Sequence, residues 1–399
     1  MKKVLSILLA LVMVVLCFAA CGNTQDADQG DKTQTATIAA IPKDQLKIGV
    51  IHIGDPADGS GYSYTHDLGI QGMQKNLGLS DDQIVRQLNI SDSDTTAIRN
   101  AIEDCIAQGC NVIFGTSYGY MDTMEALANE HPDVIFSHGT GYKSNGSNLN
   151  NYFGRIYQAR YLAGIAAGLK TKTNKIGYVS AYGTELAETC SGINAFALGV
   201  QSVNPDAVVY VKELKSWFDP ANETAYAEAL INMGCDVISQ HCDTANPQIA
   251  AEKAGVFGCG YNSDMTKDAP KAHLTATIWN WDVYYTAAVQ AVIDGKWVEF
   301  GNYYKGVKEG LCDVSPLSDN CVPGTQEKID AVKALYNDGS WDVFTGVKLS
   351  FDENNNVVKT DAALKDNTGK EIVPAGGPSV EDSVITGSMN YFVEGVEVA

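Results

Sequence analysis

Basic residues are scarce in this sequence. Its 399 residues include 28 Lys and Arg against 48 Asp and Glu, which gives a formal net charge of −20 at pH 7. Nucleic-acid binding depends on Lys and Arg that neutralise phosphates, so this balance argues against a nucleic-acid-binding protein. The overall negative field also disfavours anionic ligands.

Histidine is also scarce, and cysteine lacks the spacing that metal sites need. The chain has six histidines and ten cysteines but no Cys-x-x-Cys pair and no His/Cys pattern typical of zinc, so we expect neither a metal nor a cofactor. The cysteines are too dispersed for a disulfide scaffold and most read as buried thiols. Cys312 and Cys321, which bracket "DVSPLSDN", remain the one pair that could form a disulfide.

The start of the chain has the pattern of an export signal. A short basic segment, MKK, precedes the apolar run VLSILLALVMVVLCFAA, which is at the short end of the ~20 residues that a spanning helix needs. The small residues before Cys21 resemble a bacterial lipobox, which implies cleavage before Cys21 and its lipidation. We therefore predict a signal peptide over 1–20, a flexible tether over 21–44, and an extracytoplasmic protein anchored by lipid to the cell membrane.

Beyond the tether, apolar β-branched runs alternate with segments of helical period. One series begins with the strand "LKIGVIHIG" (46–54), and a second begins with "KIGYVSAYG" (175–183). This alternation predicts an α/β protein with two Rossmann-like lobes and a ligand cleft between them. The predicted segments are an N-terminal lobe over 45–155 that is completed by about 265–322, a C-terminal lobe over 156–264, and an extension over 323–399 that contains a hairpin and braces the lobes.

Aromatic and polar side chains recur after the predicted strands. In doubly wound sheets the ligand lies beyond the carboxyl ends of the strands, so these residues are candidates for a binding site. Stacking on aromatic rings and hydrogen bonds to carboxylates suit a flat, uncharged ligand with N–H or O–H donors, such as a nucleobase, a nucleoside or a sugar. The candidates are Tyr62, Tyr64, His66, Ser117, Tyr118, Trp217, Asp219, Gln240, His241, Asp243, Tyr261, Asp264, Trp279 and Trp281.

Several candidates have a purely structural alternative. Asp219 and Asp243 precede predicted helices and could be N-caps. His66 and His241 could be framework histidines, and aromatics such as Trp281 could belong to the core. These alternatives stay open from the sequence alone.

Three long stretches resemble a known family: "DGSGYSYTHDLGIQG", "SWFDPANETAYAEALINMGCDVISQHCDT" and "GCGYNSDMTKDAPKAHLTATIWNWDVYYTAAVQAVIDGKW". The chain from about 45 to 322 resembles the basic membrane protein family of ABC-transporter substrate-binding lipoproteins. The resemblance implies the type I periplasmic-binding fold, a permease partner, and import of purine bases or nucleosides. It also implies that Tyr62 stacks on the ligand and that Asp264 corresponds to a ribose-binding aspartate. Trp279 stands where nucleoside-binding members commonly have lysine, which favours a free, adenine-like base.

We therefore predict a monomeric binding protein, not an enzyme, that closes its lobes on a purine base. A purine nucleoside binder and a sensory receptor without transport are alternatives. A nucleoside hydrolase with Asp219 and either Asp243 or Asp264 as acid and base is more remote, because the sequence lacks the clustered aspartates that hold calcium in such enzymes.

Overall fold

The protein was analysed as a computed structural model that describes residues 38–399. The predicted signal peptide and the lipidation site at Cys21 lie outside the described residues. The end of the predicted tether differs from the expectation, because the Ile41 amide donates to the Val292 carbonyl at 3.3 Å and Lys43–Gln45 forms a short 3-10 helix. The tether prediction is therefore too long at this end, where isoleucines packed on the core interrupt the polar composition.

Seventeen strands are present among the described residues. They are β1 (Ile48–Ile51), β2 (Ile84–Gln87), β3 (Val112–Gly115), β4 (Ile135–Gly139), β5 (Leu149–Gly154), β6 (Lys175–Ser180), β7 (Val208–Glu213), β8 (Val237–His241), β9 (Phe257–Asn262), β10 (His273–Trp279), β11 (Tyr303–Lys305), β12 (Cys312–Val314), β13 (Val347–Phe351), β14 (Val357–Asp361), β15 (Leu364–Lys365), β16 (Glu371–Val373) and β17 (Val396–Val398).

Eleven α-helices connect and cover these strands in the described part of the chain. They are α1 (Gly61–Leu77), α2 (Thr95–Ala107), α3 (Met121–Glu130), α4 (Ile156–Lys170), α5 (Ala187–Val203), α6 (Pro220–Asn232), α7 (Asn246–Ala254), α8 (Trp281–Ile293), α9 (Trp297–Phe300), α10 (Thr325–Asp338) and α11 (Asp382–Gly387).

Two sheets organise the molecule. The first has the strand order β11-β5-β4-β3-β1-β2 and is parallel throughout. The second has the order β12-β10-β9-β8-β6-β7-β17, in which only β12 runs antiparallel to its neighbour. All four residues of β1 and all five of β8 are buried, as expected for parallel strands covered by helices on both faces. The predicted α/β class with two Rossmann-like lobes is confirmed.

The chain passes between the sheets three times. It leaves the first sheet after β5, returns to it after β10, and leaves it again between β11 and β12. We predicted that the segment 265–322 completes the first lobe, but its elements are divided between the two sheets. The strand β11 belongs to the first sheet and α8 packs against α1, whereas β10 and β12 belong to the second sheet. The lobe boundaries themselves stay a prediction.

The extension after α10 contains the predicted hairpin, formed by β13 and β14 as an antiparallel pair. Its last strand, β17, runs parallel to β7 and adds an edge to the second sheet. Cys312 and Cys321 are free thiols, and their sulfurs approach the carbonyls of Arg155 and Leu274, respectively. Among residues 38–399, no helix has both the length and the apolar character needed to cross a bilayer.

Candidate functional site

A cavity of about 730 Å³ lies where the carboxyl ends of the strands of both sheets face each other. It is within the size range of small-molecule sites, roughly 300–1,000 Å³. Six of the predicted residues line this cavity. That they contact a ligand remains a prediction. These six are Tyr62, Ser117, Tyr118, Trp217, Asp243 and Tyr261.

The aromatic rings of the cavity are held from behind by neighbouring rings and backbone groups. The Tyr62 hydroxyl donates to the Thr116 carbonyl, and its ring packs edge-on against His66 with centroids 4.5 Å apart. Trp217 packs edge-on against Tyr182 at 5.5 Å. These contacts fix both ring orientations, so that each ring can present a face or an edge to the cavity with little loss of rotamer freedom.

Two carboxyl groups at the cavity have raised pKa values. Burial, together with the nearby Glu223 carboxylate, raises the pKa of Asp243 well above its usual range, although Asn262 donates to it at 3.4 Å. Burial raises the pKa of Glu188 to about 7, and the Arg160 guanidinium opposes this shift only partly. Near neutral pH the cavity therefore offers groups that can both accept and donate hydrogen bonds.

A buried polar layer lies beneath these carboxyl groups. His241 is fully buried, and its Nε2 is 3.7 Å from a Glu188 oxygen. Burial, followed by the Arg160 charge, lowers the pKa of His241 well below its usual range, so the ring is neutral. The Arg160 guanidinium stacks 3.9 Å over the Tyr261 ring and donates to the Gln240 carbonyl. This layer supports the floor of the cavity from below.

Gln240 and His241, both predicted to bind the ligand, do not line the cavity. The Gln240 amide donates to the Thr244 carbonyl at 2.6 Å, and its side-chain oxygen accepts from Gln248 at 3.0 Å. Its hydrogen-bonding groups are thus used by the loop after β8 and by α7. His241 is buried beneath the lining, and neither of its ring nitrogens has a hydrogen-bond partner among the described residues.

Asp219 and Asp264 also lie outside the cavity. Asp219 caps α6, because its Oδ1 accepts from the Asn222 amide at 3.1 Å while its Oδ2 accepts from the Asn222 side chain at 2.6 Å. Asp264 accepts from the Thr266 amide at 2.9 Å in an exposed turn. Both carboxylates accept hydrogen bonds from local backbone donors, a role that a position after a strand does not distinguish from ligand contact.

His66, Trp281 and Trp279 form a continuous stack behind the cavity. Trp281 stacks on His66 with centroids 4.5 Å apart and on Trp279 at 4.4 Å. The Trp279 indole donates to the Tyr261 hydroxyl at 3.4 Å and packs on the Phe153 ring at 5.0 Å, so it lies directly behind two lining residues. The three stacked residues lie behind the cavity lining, and Tyr64 also lies outside it. The inference of a free base from Trp279 therefore loses its direct basis.

Other lining residues were missed by the sequence reasoning. Glu188 lies in the first turn of α5 rather than at a strand end, and the strands β5 and β11 were not predicted. Apart from Glu188, the missed residues are Ile53, Thr140, Gly141, Tyr142, Asn151, Phe153, Gly154, Ile156, Tyr157, Glu185, Leu186, Ala187, Ser191, Asn302, Tyr304, Asp382, Ser383, Ile385, Thr386 and Gly387.

The loop after β1 contacts loops of the second sheet across the cleft. The Gly61 amide donates to the Ser263 hydroxyl at 3.2 Å. A Cβ atom on Gly61 would lie 2.1 Å from the Asp243 carbonyl oxygen, and the Gly61 φ of +83° also favours glycine. The two sides of the cleft are thus in direct contact at this point.

One cluster away from the cavity has the residue types of a metal site. Ligand atoms of Glu103, Glu130 and His131 lie within 4.8 Å of one another. Arg99 already donates to both Glu130 oxygens, at 2.8 and 2.9 Å, so the cluster is accounted for as an ion pair.

Comparison with known proteins agrees with this architecture. Residues 46–340 match the Bmp family, described as ABC transporter substrate-binding protein PnrA-like. The chain is 36% identical over 361 residues to a purine-binding protein of Brucella abortus, covering 90% of this chain and 95% of that protein. It is 33% identical to a putative ABC transporter glucose-binding protein of Haloferax volcanii, covering 82% of this chain and 78% of that protein.

Solved structures extend the comparison to the fold. An ABC transporter solute-binding protein from Conexibacter woesei superposes with a TM-score of 0.62 at 18% identity, covering 74% of this chain and 98% of that one. The fold is therefore that of the periplasmic-binding proteins, with the ligand cleft between two parallel-sheet lobes. On the match of its sequence from 46 to 340, the chain belongs to the Bmp family of PnrA-like ABC transporter substrate-binding proteins.

Proposed function

We propose that this protein is the extracytoplasmic, lipid-anchored receptor of an ABC importer and that it binds a purine base, adenine-like, between its lobes. One observation carries the proposal: the cavity of about 730 Å³ combines aromatic rings with two carboxyl groups of raised pKa. The purine-binding relative supports the same ligand class.

Recognition of a purine requires packing against its flat ring and hydrogen bonds to its edge, and the cavity has side chains for both. Tyr62 and Trp217 supply rings for offset or edge-on packing against the flat heterocycle. Asp243 and Glu188 face a ligand edge that carries N–H donors and ring-nitrogen acceptors. A partly buried carboxyl without a partner is costly, so a ligand that hydrogen-bonds to both groups gains affinity when it replaces water.

We propose that the lobes close on the ligand, and the contacts of Gly61 support this. The Gly61 contacts with Ser263 and Asp243 join the two sides of the cleft and can form only when the loops approach each other. A ligand held by both sides adds further contacts to this state and so shifts the population toward it. The closed monomer is then the form that a membrane permease would recognise.

A purine nucleoside is the second candidate ligand, and the cavity volume favours it. The space exceeds what a base alone needs, and the lining includes the polar side chains of Asn151 and Asn302. Trp279, the sequence feature that favoured a base, does not reach the cavity. Base and nucleoside therefore have to be compared directly.

Two remaining alternatives are less well supported. The hydrolase hypothesis needed Asp219 together with either Asp243 or Asp264, and of these three only Asp243 lines the cavity. A sensory role without transport would use the same closed form and differs only in the membrane partner. We propose that the ligand is released unchanged.

Calorimetric titration of residues 38–399 tests the proposal. The protein is unfolded and refolded to remove carried-over ligand and is then titrated with adenine, guanine, hypoxanthine, adenosine, guanosine, ribose and glucose. We expect a purine base to bind most tightly. Tighter nucleoside binding would select the second candidate, and binding of glucose alone would overturn the purine assignment. Chromatography of adenosine after incubation should show no free adenine.

A further inference from the structure

The C-terminal helix α11 forms part of the cavity wall. Five of its six residues line the cavity: Asp382, Ser383, Ile385, Thr386 and Gly387. The helix lies beyond the residues 46–340 that match the family. Sequence reasoning assigned this extension no ligand role, because it follows β12 by about 70 residues and shows no strand-end pattern.

The segment that carries α11 is fixed to the second lobe. Asn194 of α5 donates to the Tyr391 carbonyl at 2.8 Å and accepts from the Val393 amide at 3.0 Å. Ile385 and Met389 are buried with 3% and 1% exposure, respectively. The wall is therefore a packed part of the lobe whose residues keep a defined position at the cavity.

The same helix is also joined to the opposite side of the cavity. The Arg155 Nε donates to Asp382 Oδ1 at 3.2 Å, and its Nη2 donates to the other oxygen. The guanidinium stacks 4.9 Å over the Tyr304 ring, while the Arg155 amide donates to the Lys305 carbonyl at 2.7 Å. Because Tyr304 and Lys305 belong to β11, this bidentate pair connects α11 to the edge of the first sheet.

We propose that α11 is a ligand-contacting wall that sets the size and polarity of the ligand that the cavity accepts. The inference deepens the proposed function and rests on it for the identity of the ligand. Ser383 and Thr386 bring hydroxyl groups to the wall, and the Thr386 hydroxyl donates to the Asp382 carbonyl at 2.8 Å, which leaves its oxygen free to accept. These groups suit a polar substituent that projects from the flat ring held by the aromatic residues.

Gly387 offers a direct test of the wall. It lines the cavity, and no atom lies within 4 Å of a Cβ added there, so a larger side chain meets no obstacle in the protein. The neighbouring Ser388 is exposed and does not line the cavity, which makes it a matched control. Gly387→Phe and Ser388→Phe are compared with the wild type by calorimetry with adenine and adenosine.

We expect Gly387→Phe to weaken the binding of the tighter ligand at least tenfold, and to weaken adenosine more than adenine, while Ser388→Phe stays within twofold of the wild type. Equal affinities in all three proteins would overturn the inference and leave the purine assignment standing. Equal weakening by both variants would also overturn it, because a residue outside the cavity would then act as strongly as one inside.

A crystal structure of Gly387→Phe separates this inference from the proposed function. If the wild type binds neither purine, the ligand assignment fails. The position of the phenyl ring then still shows whether α11 forms a wall of the cavity. A ring inside the cavity supports the role of α11 for whatever ligand the cleft takes. A ring turned to solvent overturns that role. Thermal melting of both variants verifies that they are folded.

Discussion

Trp217 is the residue whose removal should affect ligand affinity most directly. We expect Trp217→Ala to weaken purine binding by about 1–3 kcal/mol, since base–aromatic contacts have this magnitude, and to leave the fold intact. Calorimetry measures the change. Phe218→Ala is the control, because Phe218 is adjacent, 61% exposed and outside the cavity. Unchanged affinity in Trp217→Ala would remove this residue from the ligand contacts, and Tyr62→Ala extends the test to the other ring.

Glu188 should make the unliganded protein less stable as the pH rises. Its usual pKa is near 4.5, and burial raises the pKa to about 7 in the native state. Between these values the native state binds more protons than the unfolded state, so the free energy of unfolding falls with increasing pH. We expect the contribution of Glu188 to fall by about 1–3 kcal/mol from pH 5 to pH 8. It is read as the difference between the wild type and Glu188→Gln, because buried histidines of lowered pKa, such as His66 and His241, change the total stability in the opposite direction.

Urea unfolding at the two pH values measures this effect, and Glu185→Gln is the control. Burial opposes the ionisation of Glu185, but its hydrogen bond from Lys215 outweighs this and lowers its pKa. Glu185→Gln should therefore keep the wild-type dependence of the free energy of unfolding on pH between pH 5 and pH 8. Asp243, whose pKa is also raised, contributes a residual fall of the same sign in Glu188→Gln. The same pH dependence in Glu188→Gln and the wild type would contradict the assignment.

At the scale of the element, Asp219 should act on the stability of α6 and leave ligand affinity unchanged. Asp219→Ala removes the acceptor of the Asn222 amide, and we expect the melting temperature to fall by a few degrees. Asp94→Ala is matched to it, because Asp94 caps α2 through the amides of Thr96 and Ala97. Weaker purine binding in Asp219→Ala at unchanged melting temperature would restore the predicted ligand contact.

The positions of strands and helices were largely predictable wherever the apolar residues follow one strand or helix period. The strands predicted within 46–54 and 175–183 contain β1 and β6, respectively. In contrast, β5 was missed because its sequence, "LNNYFG", contains two adjacent asparagines. Asn150 is buried there and donates to the Gly301 carbonyl at 2.6 Å, a partner 151 residues away. Such long-range compensation of a buried polar group leaves no local signal.

The cavity lining was predictable only where its residues follow strands. Trp217 and Asp243 lie at the cavity for this reason, whereas Glu188 arrives from a helix. Trp279 and Trp281 lie behind the lining, because an aromatic run does not indicate which ring faces the cleft and which faces the core. The wall formed by α11 depends on tertiary contacts of a distant segment, which no spacing in the sequence encodes.

For the whole molecule, Gly61 should control how closely the lobes approach. In Gly61→Ala the Cβ would lie 2.1 Å from the Asp243 carbonyl, so we expect at least tenfold weaker purine binding and a larger radius of gyration with ligand than in the wild type. Calorimetry and small-angle X-ray scattering measure the two effects. Gly59→Ala is the control, because Gly59 has a similar φ of +77° but no atom within 4 Å of an added Cβ. It therefore measures the effect of backbone strain without a steric clash. Identical behaviour of both variants would refute a steric role for Gly61.

The pairing of β17 with β7 has a consequence for how the protein is made. Val396 lies opposite Val209, so the outer edge of the second sheet is contributed by residues that leave the ribosome long after β7. Until they arrive, β7 presents unpaired backbone groups that can recruit another chain. Contacts of such long sequence separation also form slowly. A chain in which β17 is missing or not yet made therefore carries an open sheet edge, and β17 acts as a built-in protection against aggregation.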